Sequence, residues 1–423
     1  MRAPFGSVFY GWVIVAVAFV TMALGVNART AFSLLLPPIV DEFGWERGAT
    51  AAAFSFGFIL AAVLSPLLGK WMDRFGPRPV LEAGVGCVAL GLLAAAYIGS
   101  PWQLYATLGV LVGAGSVCLS YTGQACYLPN WFVRRRGLAM SIAFSGVGVG
   151  SIVLFPALQA IIAAAGWRTA CTALGIAVLV LLLPLNLLVR RRPQDIGLFP
   201  DGDVAPPSAP SRSAPSGGDW TLRAALRSPR FWWLAFAYAS GLYAWYAVQV
   251  HQTRYLLEIG FSGAQAAWAL GVVSLAGIPG QIALGHLSDR ITREWVWCIG
   301  QLGFIVCYGA LLALAHAPSP ALLWLMVLAQ GFLGYGLTSV VGSIPAEDFH
   351  GRHYGGIFGA IMGMGIAGGA IGPWITGLAY DATGSYAPGF AIALACCIAS
   401  SVAIWLKRPP AQRVAGERPA AAR

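Results

Sequence analysis

Residues 69–78 read Gly-Lys-Trp-Met-Asp-Arg-Phe-Gly-Pro-Arg, a charged turn directly after a long apolar run. A shorter copy, Gly-His-Leu-Ser-Asp-Arg, occupies residues 285–290 after another apolar run, at an offset of 285 − 69 = 216 residues. Arg136 and Arg352 stand at the same offset, 352 − 136 = 216, and each precedes a further apolar run. Because three landmarks share one offset, the chain is predicted to be an internal duplication.

The composition around these turns is that of a membrane protein. Of the 423 residues, 58% are hydrophobic and 10% are charged, whereas a soluble domain carries about 25% charged residues. This composition excludes a cytosolic enzyme. The apolar runs are long enough to cross a bilayer as helices, which takes about 20 residues, and they lack the strict alternation of a transmembrane barrel. The predicted fold class is therefore an all-α membrane protein.

Polar breaks divide the apolar runs into twelve predicted spans, six in each half of the chain. The spans cover roughly residues 9–34, 49–69, 79–98, 102–126, 137–164 and 168–189, and then 229–254, 263–285, 295–316, 319–343, 355–379 and 386–406.

The domain organisation follows from the gap between the sixth and seventh spans. Residues 205–218 are rich in Pro, Ser, Ala and Gly and are predicted to be flexible, because they have no core to bury. We therefore expect two pseudo-symmetric six-helix bundles, residues 1–189 and 229–406, joined by a cytoplasmic linker at 190–228 and followed by a cytoplasmic tail at 407–423.

The basic residues predict the orientation. If the N-terminus is cytoplasmic, only Arg47, Arg168 and Arg254 of the 26 basic residues fall in outer loops and Arg29 lies inside a span, which leaves 26 − 4 = 22 on the inner side. Positive charge accumulates on the cytoplasmic side of membrane proteins, so both termini are expected there. The first run lacks a small-residue cleavage site, and we expect it to remain as a span. In a bacterial cell the predicted location is the inner membrane.

The net charge, the cysteines and the absence of a nucleotide-binding motif limit the kinds of partner and cofactor that we expect. The net charge of +10 comes from short clusters at the ends of apolar runs, which sets topology and does not indicate a nucleic-acid partner. The eight cysteines lie inside apolar segments without metal-ligand spacing, and no Walker loop is present. We expect a monomer in a lipid bilayer with a small-molecule substrate, and no metal or cofactor.

The turn at 69–78 resembles the signature loop of the major facilitator superfamily, with residues 285–290 as its degenerate second copy. Within that superfamily the chain is most similar to the bacterial monocarboxylate and oxalate/formate transporter branch. Further matching pieces are Tyr-Gly-Trp at 10–12, Arg-Arg-Gly-Leu-Ala-Met at 135–140, Arg-Pro-Gln-Asp-Ile-Gly-Leu-Phe-Pro at 192–200 and Gly-Gly-Ala-Ile-Gly-Pro at 368–373. The resemblance implies a secondary transporter whose two bundles rock around a cavity lined by spans 1, 4, 7 and 10.

The two signature loops are interpreted as a conformational latch. Asp73 is expected to face the N-terminus of span 11, whose partial positive charge favours an anion, and to pair with an arginine of residues 134–136. Gly69 would allow close helix approach. The alternative is that Arg74 and Arg78 only set topology. The predicted latch residues are Gly69, Asp73, Arg74, Gly76, Arg78, Arg136, Gly285, Asp289, Arg290 and Arg352.

One departure from the branch concerns the charge that binds the substrate. Its members usually carry an arginine in span 8, four residues before the glycine of the second signature loop, where this chain has Gln281. Arg29, inside span 1 with Asn27 beside it, is predicted to supply the charge, because a guanidinium in a membrane needs a partner or a water-filled cavity. The alternatives are that Arg29 reaches the lipid headgroups and that Gln281 makes a polar contact between helices.

Polar residues of spans 4, 7 and 10 complete the predicted substrate site. His251 matches a histidine common in the branch, and could bind an anion or take a proton. The alternative for each of these side chains is packing between helices. The full predicted set is Asn27, Arg29, Tyr121, Gln124, Tyr243, Tyr246, His251, Gln281 and Tyr335.

The function predicted from these features is secondary active transport of a small organic anion, with a carboxylate favoured. No Asp or Glu lies in the middle of a span, so a coupling proton would have to use His251 or the substrate itself. The alternatives are a transporter of an uncharged or drug-like solute and a membrane sensor. An enzyme is not expected, because no catalytic arrangement is visible.

Overall fold

A computed structural model describes residues 9–203, 220–349 and 351–407. Within these ranges the chain consists of helices and connecting turns, with no strand, which confirms the predicted all-α class. The stretch predicted to be flexible, 205–218, and nearly all of the predicted tail lie outside the described residues.

The N-terminal half contains long helices that are connected by short turns and, in two places, by π-helical stretches at Tyr105–Val112 and Val178–Leu182. Its helices are α1 (Tyr10–Thr30), α2 (Phe32–Phe43), α3 (Arg47–Phe75), α4 (Pro77–Ala95), α5 (Pro101–Leu104), α6 (Gly113–Leu119), α7 (Tyr121–Ala125), α8 (Arg136–Ala177) and α9 (Leu183–Asn186).

The C-terminal half has the same character, with a π-helical stretch at Ala329–Leu333. Its helices are α10 (Leu222–Leu226), α11 (Pro229–Glu258), α12 (Gly263–Ser288), α13 (Arg293–Leu314), α14 (Pro320–Leu328), α15 (Leu337–Val340), α16 (Ser343–Asp348), α17 (Tyr354–Thr383) and α18 (Ala387–Leu406).

Ten helical stretches among the described residues are long and apolar enough to cross a membrane. Two features account for the difference from the twelve predicted spans. One stretch, Arg136–Asn186, includes a break at Gly166, whose φ of 81° and ψ of 165° are not helical. The 30-residue helix α11 is not among the ten, and it carries many of the polar side chains expected at the substrate site.

The first helical stretch is longer than predicted. It runs from Tyr10 to Phe43 instead of ending near residue 34, so Asp41 and Glu42 lie in the helix and not in a loop. Glu42 accepts hydrogen bonds from the Trp167 indole at 2.7 Å and from the Arg168 guanidinium at 2.5 Å. These contacts tie the end of α2 to the Gly166 break.

The predicted linker is ordered at both of its ends. Asp201 accepts hydrogen bonds from the main-chain N–H groups of Val133 and Arg134, at 3.0 and 2.9 Å. On the other side, the ring of Trp220 packs edge-on against Phe349 at 5.2 Å. The linker therefore begins and ends as packed structure, because its carboxylate and aromatic side chains find partners on the bundles.

The two halves meet closely at one end of the molecule, which we call the arginine-rich end because it carries Arg74, Arg136 and Arg290. There α3 packs against α17, and α8 packs against α12. A Cβ atom at Gly359 of α17 would overlap the carbonyl of Ser65 in α3. Small residues therefore allow main chain to touch main chain between the halves.

Candidate functional site

Two aspartates join the halves at the arginine-rich end. The Asp73 carboxylate accepts hydrogen bonds from the N–H groups of Gly355 and Gly356 at 2.9 and 2.8 Å, at the N-terminus of α17. This is the position expected from the sequence. Asp289 repeats the arrangement with Gly137 and Leu138 at 2.7 and 3.0 Å, at the N-terminus of α8. Each carboxylate thus accepts hydrogen bonds from two N–H groups that have no partner within their helix. The positive end of the helix dipole stabilises its negative charge.

Burial is the largest influence on Asp289 and raises the pKa of its carboxyl, while the two amide hydrogen bonds and the charge of Arg293 act in the opposite sense. The Asp289 carboxylate is therefore protonated at a higher pH than an ordinary aspartate, and this contact is weakened there.

Glycines make both contacts sterically possible. A Cβ atom at Gly69 would overlap the Gly355 carbonyl, and one at Gly285 would overlap the Ser141 hydroxyl. Gly76 forms the turn between α3 and α4 with a φ of 83°, a conformation that favours glycine. Gly69 and Gly285 therefore allow the halves to close, whereas Gly76 shapes the turn that follows Asp73.

The predicted arginine partners of Asp73 are engaged elsewhere. Arg134 pairs with Asp203 at 2.5 Å, and Arg136 donates to the Phe132 carbonyl at 3.0 Å. The prediction was wrong for these two side chains because each has a closer acceptor: Arg134 in the segment that follows α9, and Arg136 in the turn that precedes α8.

The other predicted latch arginines lie on the surface. Arg74 and Arg290 are exposed, and Arg78 forms an i,i+4 ion pair with Glu82 at 2.9 Å. Arg352 is exposed and shares a small crevice with Asp73. The two carboxylates and the glycines beside them make the contact between the halves.

A second cluster surrounds Arg29, on the side of the bundle away from these contacts. Its guanidinium carbon lies 4.3 Å from the centroid of the Phe58 ring of α3. Tyr246 of α11 packs edge-on against Phe58 at 5.7 Å and lies near Arg29. The Nε atom of Arg29 is buried and has no hydrogen-bond partner among the described residues.

Tyrosines from two further helical stretches approach this cluster. Tyr121 and Tyr335 both lie near Tyr246. Tyr335 also packs against Trp245 at 4.5 Å, and Tyr121 packs edge-on against Phe144 at 5.0 Å. Four predicted residues, Arg29, Tyr121, Tyr246 and Tyr335, are therefore brought together from both halves of the chain.

Three predicted amides have partners within the protein. Asn27 donates to the carbonyls of Ala23 and Val147 at 2.8 and 2.9 Å and accepts from Ser151 at 2.8 Å, which joins α1 to α8. Gln124 is fully buried and accepts a hydrogen bond from the Tyr127 hydroxyl. Gln281 donates to the Thr338 hydroxyl, which is the interhelical contact left open as its alternative.

The last two predicted residues face other helices of the C-terminal half. His251 lies 2.9 Å from the Pro373 carbonyl of α17 through its Nε2 atom, and its ring packs near Tyr386 at 5.3 Å. Tyr243 is buried, with its hydroxyl near Thr376 of α17. Neither side chain joins the Arg29 cluster.

Phe58 and Trp245 border the Arg29 cluster but were not among the predicted site residues. An aromatic side chain in an apolar span carries no distinguishing signal, because most such residues pack against other helices. Trp245 directly precedes Tyr246 in the sequence, but only the tertiary contacts show that both side chains border one cluster.

The structure as a whole is that of a multi-pass helical membrane protein, with the Arg29 guanidinium and its aromatic neighbours between two helical halves. A family model described as Major Facilitator Superfamily matches residues 13–338 and, in a second match, residues 252–422. The chain belongs to the major facilitator superfamily, and it is a transporter and not an enzyme.

Relatives with known names confirm the resemblance to the monocarboxylate branch. Monocarboxylate transporter 13 of Rattus norvegicus is 28% identical over 404 residues, covering 93% of this chain and 87% of the rat protein. Monocarboxylate transporter 11 of Mus musculus is 30% identical over 407 residues, covering 90% and 84%. An uncharacterised MFS-type transporter of Escherichia coli (strain K12), YhjX, is 28% identical over 367 residues, covering 80% and 86%.

Solved structures share the fold. The fucose transporter FucP in its outward conformation matches with a TM-score of 0.68 and 17% identity, covering 94% of this chain and 98% of FucP. The proton:xylose symporter XylE matches with a TM-score of 0.70 and 14% identity, covering 95% and 96%. The human organic anion transporter MFSD10 matches with a TM-score of 0.70 and 17% identity, covering 94% and 99%.

Proposed function

We propose that the protein is a secondary active transporter that moves a small organic anion, a carboxylate, by alternating access. The observation that carries the proposal is Arg29, a cation in an aromatic enclosure between the halves, whose buried Nε has no hydrogen-bond partner among the described residues. An unpaired charge in a membrane helix is unfavourable, and a bound carboxylate would supply both the missing charge and the missing acceptor.

The surroundings of Arg29 fit a small anion. The hydroxyl groups of Tyr121, Tyr246 and Tyr335 are donors of the kind that a carboxylate accepts. The amides of Asn27 and Gln281 are proposed to hold helices in place instead of touching the substrate. In this proposal Arg29 replaces the arginine that members of the branch usually carry at the position of Gln281.

The names of several relatives agree with this proposed class of substrate, because these relatives are named monocarboxylate transporters. We further propose twelve spans, counting α11 and dividing Arg136–Asn186 at Gly166. Both termini then lie in the cytoplasm of a cell whose inner membrane holds the protein as a monomer.

The closed arginine-rich end is proposed to be the cytoplasmic side, so that the described conformation faces outward. The positive-inside distribution of the arginines supports this orientation. Release of the Asp73 and Asp289 contacts would then open the Arg29 cluster to the cytoplasm, which assigns the signature loops to the conformational latch.

A matched pair of substrates tests the proposal. In proteoliposomes, we expect uptake of a short-chain carboxylate to exceed uptake of the corresponding neutral amide by at least about tenfold, because each 1.4 kcal/mol of charge recognition gives a factor of ten. Equal uptake of the amide would favour the alternative of an uncharged solute. Binding without uptake of either compound would favour a sensor.

The His251 position gives a separate prediction about proton coupling. We expect His251→Gln to keep carboxylate uptake within about twofold of wild type, with an unchanged response to an imposed pH gradient, because a glutamine amide can also donate to the Pro373 carbonyl. His251→Ala removes this hydrogen bond and should lower the free energy of unfolding by about 1 kcal/mol. If His251→Gln loses only the proton-driven part of uptake, His251 takes part in coupling.

A further inference from the structure

An apolar groove lies on the outside of the N-terminal half, near the arginine-rich end. It has a volume of about 400 Å³ and is lined by residues of α3, α4 and α6. Trp71 and Phe75 of α3 form one wall and are 45% and 58% exposed. The floor is shallow because Gly84 of α4 and Gly115 of α6 let their helices touch, with a Cβ at Gly84 only 3.0 Å from the Gly115 carbonyl.

A second cavity continues this groove at its polar end. It has a volume of about 300 Å³ and shares Phe75 and Pro79 with the groove. The remaining lining residues include four arginines from the end of α3, the start of α4 and the segment after α9: Arg74, Arg78, Arg190 and Arg191.

The charge of this second cavity is only partly compensated. Glu82 pairs with Arg78, and Arg190 donates to the Leu187 carbonyl at 2.7 Å. Within the described ranges, Arg74 and Arg190 have no ion pair with a carboxylate. The cavity therefore presents an excess of positive charge beside an apolar groove that faces the membrane.

We infer that this composite cleft binds an anionic phospholipid, with the phosphate at the arginines and an acyl chain in the groove. A soluble anion would use the arginines but would leave the groove exposed. A neutral lipid would fill the groove but would leave the excess charge without a partner. Basic pockets beside transmembrane helices at the cytoplasmic surface recognise anionic headgroups, and each arginine contributes about fivefold in affinity.

The lipid lies beside the contact that closes the molecule. Arg74 follows Asp73 directly in the chain, and Arg191 interacts electrostatically with the Asp73 carboxylate. Phosphate binding would therefore act on the same end of α3 that meets α17.

Photolabelling of the full-length protein in detergent tests this inference. The probe is phosphatidylglycerol with a diazirine in one acyl chain, and the labelled peptides are mapped by mass spectrometry. We expect label in α3, α4 and α6 around the groove. A double variant, Arg74→Gln with Arg190→Gln, should reduce this labelling about 25-fold at limiting lipid. The matched control, Arg223→Gln with Arg227→Gln on the exposed face near α10, should leave it unchanged.

Three further arms decide between ligands. Ala83→Phe, at an exposed position in the groove, should reduce labelling without changing any charge. A phosphatidylcholine probe with the same diazirine chain should label at least tenfold less, and equal labelling would overturn the inference. Displacement of the lipid probe by inorganic phosphate alone, at equal potency in wild type and in Ala83→Phe, would show a soluble-anion site and would also overturn it.

Discussion

Arg29→Gln is expected to reduce carboxylate uptake by roughly 100-fold. Removing one partner of a buried, hydrogen-bonded charge pair costs about 3 kcal/mol, and every 1.4 kcal/mol is a factor of ten. Arg29→Lys keeps the charge but loses the planar fork of donors, so an intermediate loss of about tenfold is expected. Initial uptake rates in proteoliposomes measure both effects.

A second readout separates this role from a structural one. Because the Nε atom of Arg29 is buried without a hydrogen-bond partner among the described residues, Arg29→Gln should keep or raise the melting temperature of the substrate-free protein. The matched control is Arg254→Gln. The Arg254 side chain is 69% exposed and pairs with Glu258, so its loss should leave uptake within about twofold. Wild-type carboxylate uptake by Arg29→Gln would contradict the anion site.

Gly69→Leu is expected to abolish transport by a different route. A Cβ atom at this position would overlap the main-chain carbonyl of Gly355, and a main-chain atom cannot rotate away. An overlap that costs about 3 kcal/mol would shift the equilibrium away from the closed state roughly 100-fold, because only that state brings α3 and α17 together here. Uptake should fall by up to this factor, since the proposed alternating access needs both states.

The control for this variant is Gly86→Leu on the neighbouring helix α4. Nothing lies within 4 Å of a Cβ built at Gly86, so the same change in residue type should leave uptake within about twofold. Substrate binding distinguishes the mechanism from misfolding. Gly69→Leu should still bind the carboxylate, as followed by a substrate-dependent rise in melting temperature. If Gly69→Leu transports normally, the described contact is not an obligatory state of the cycle.

One of the two closing contacts was placed from the sequence: Asp73 was expected to face the N-terminus of span 11. Asp289 was included in the predicted latch as the second copy of that aspartate, but only the structure shows that it meets the N-terminus of α8. The substrate site was harder to predict. Helical periodicity orders residues around one helix, but it does not say which neighbouring helix each face meets.

Asn27 and Gln281 illustrate that limit. Both are polar residues inside apolar spans, which is the sequence signature of a binding residue and of an interhelical contact alike. Asn27 finds the carbonyl of Val147 on another helix, and Gln281 finds the hydroxyl of Thr338. Arg29 has the same sequence signature, yet among the described residues its guanidinium meets the Phe58 ring and its Nε atom meets no acceptor.

By itself, the sequence determined that this chain is a helical membrane protein with a repeated charged turn. The length of each apolar run and the residues of each turn can be read locally, without knowing which helices are neighbours. The tertiary structure alone decided which polar side chains remain available to a ligand. A buried polar group is satisfied by whichever donor or acceptor the neighbouring helix presents, and for Asn27, Gln281 and His251 that partner lies 57 to 122 residues away in the chain.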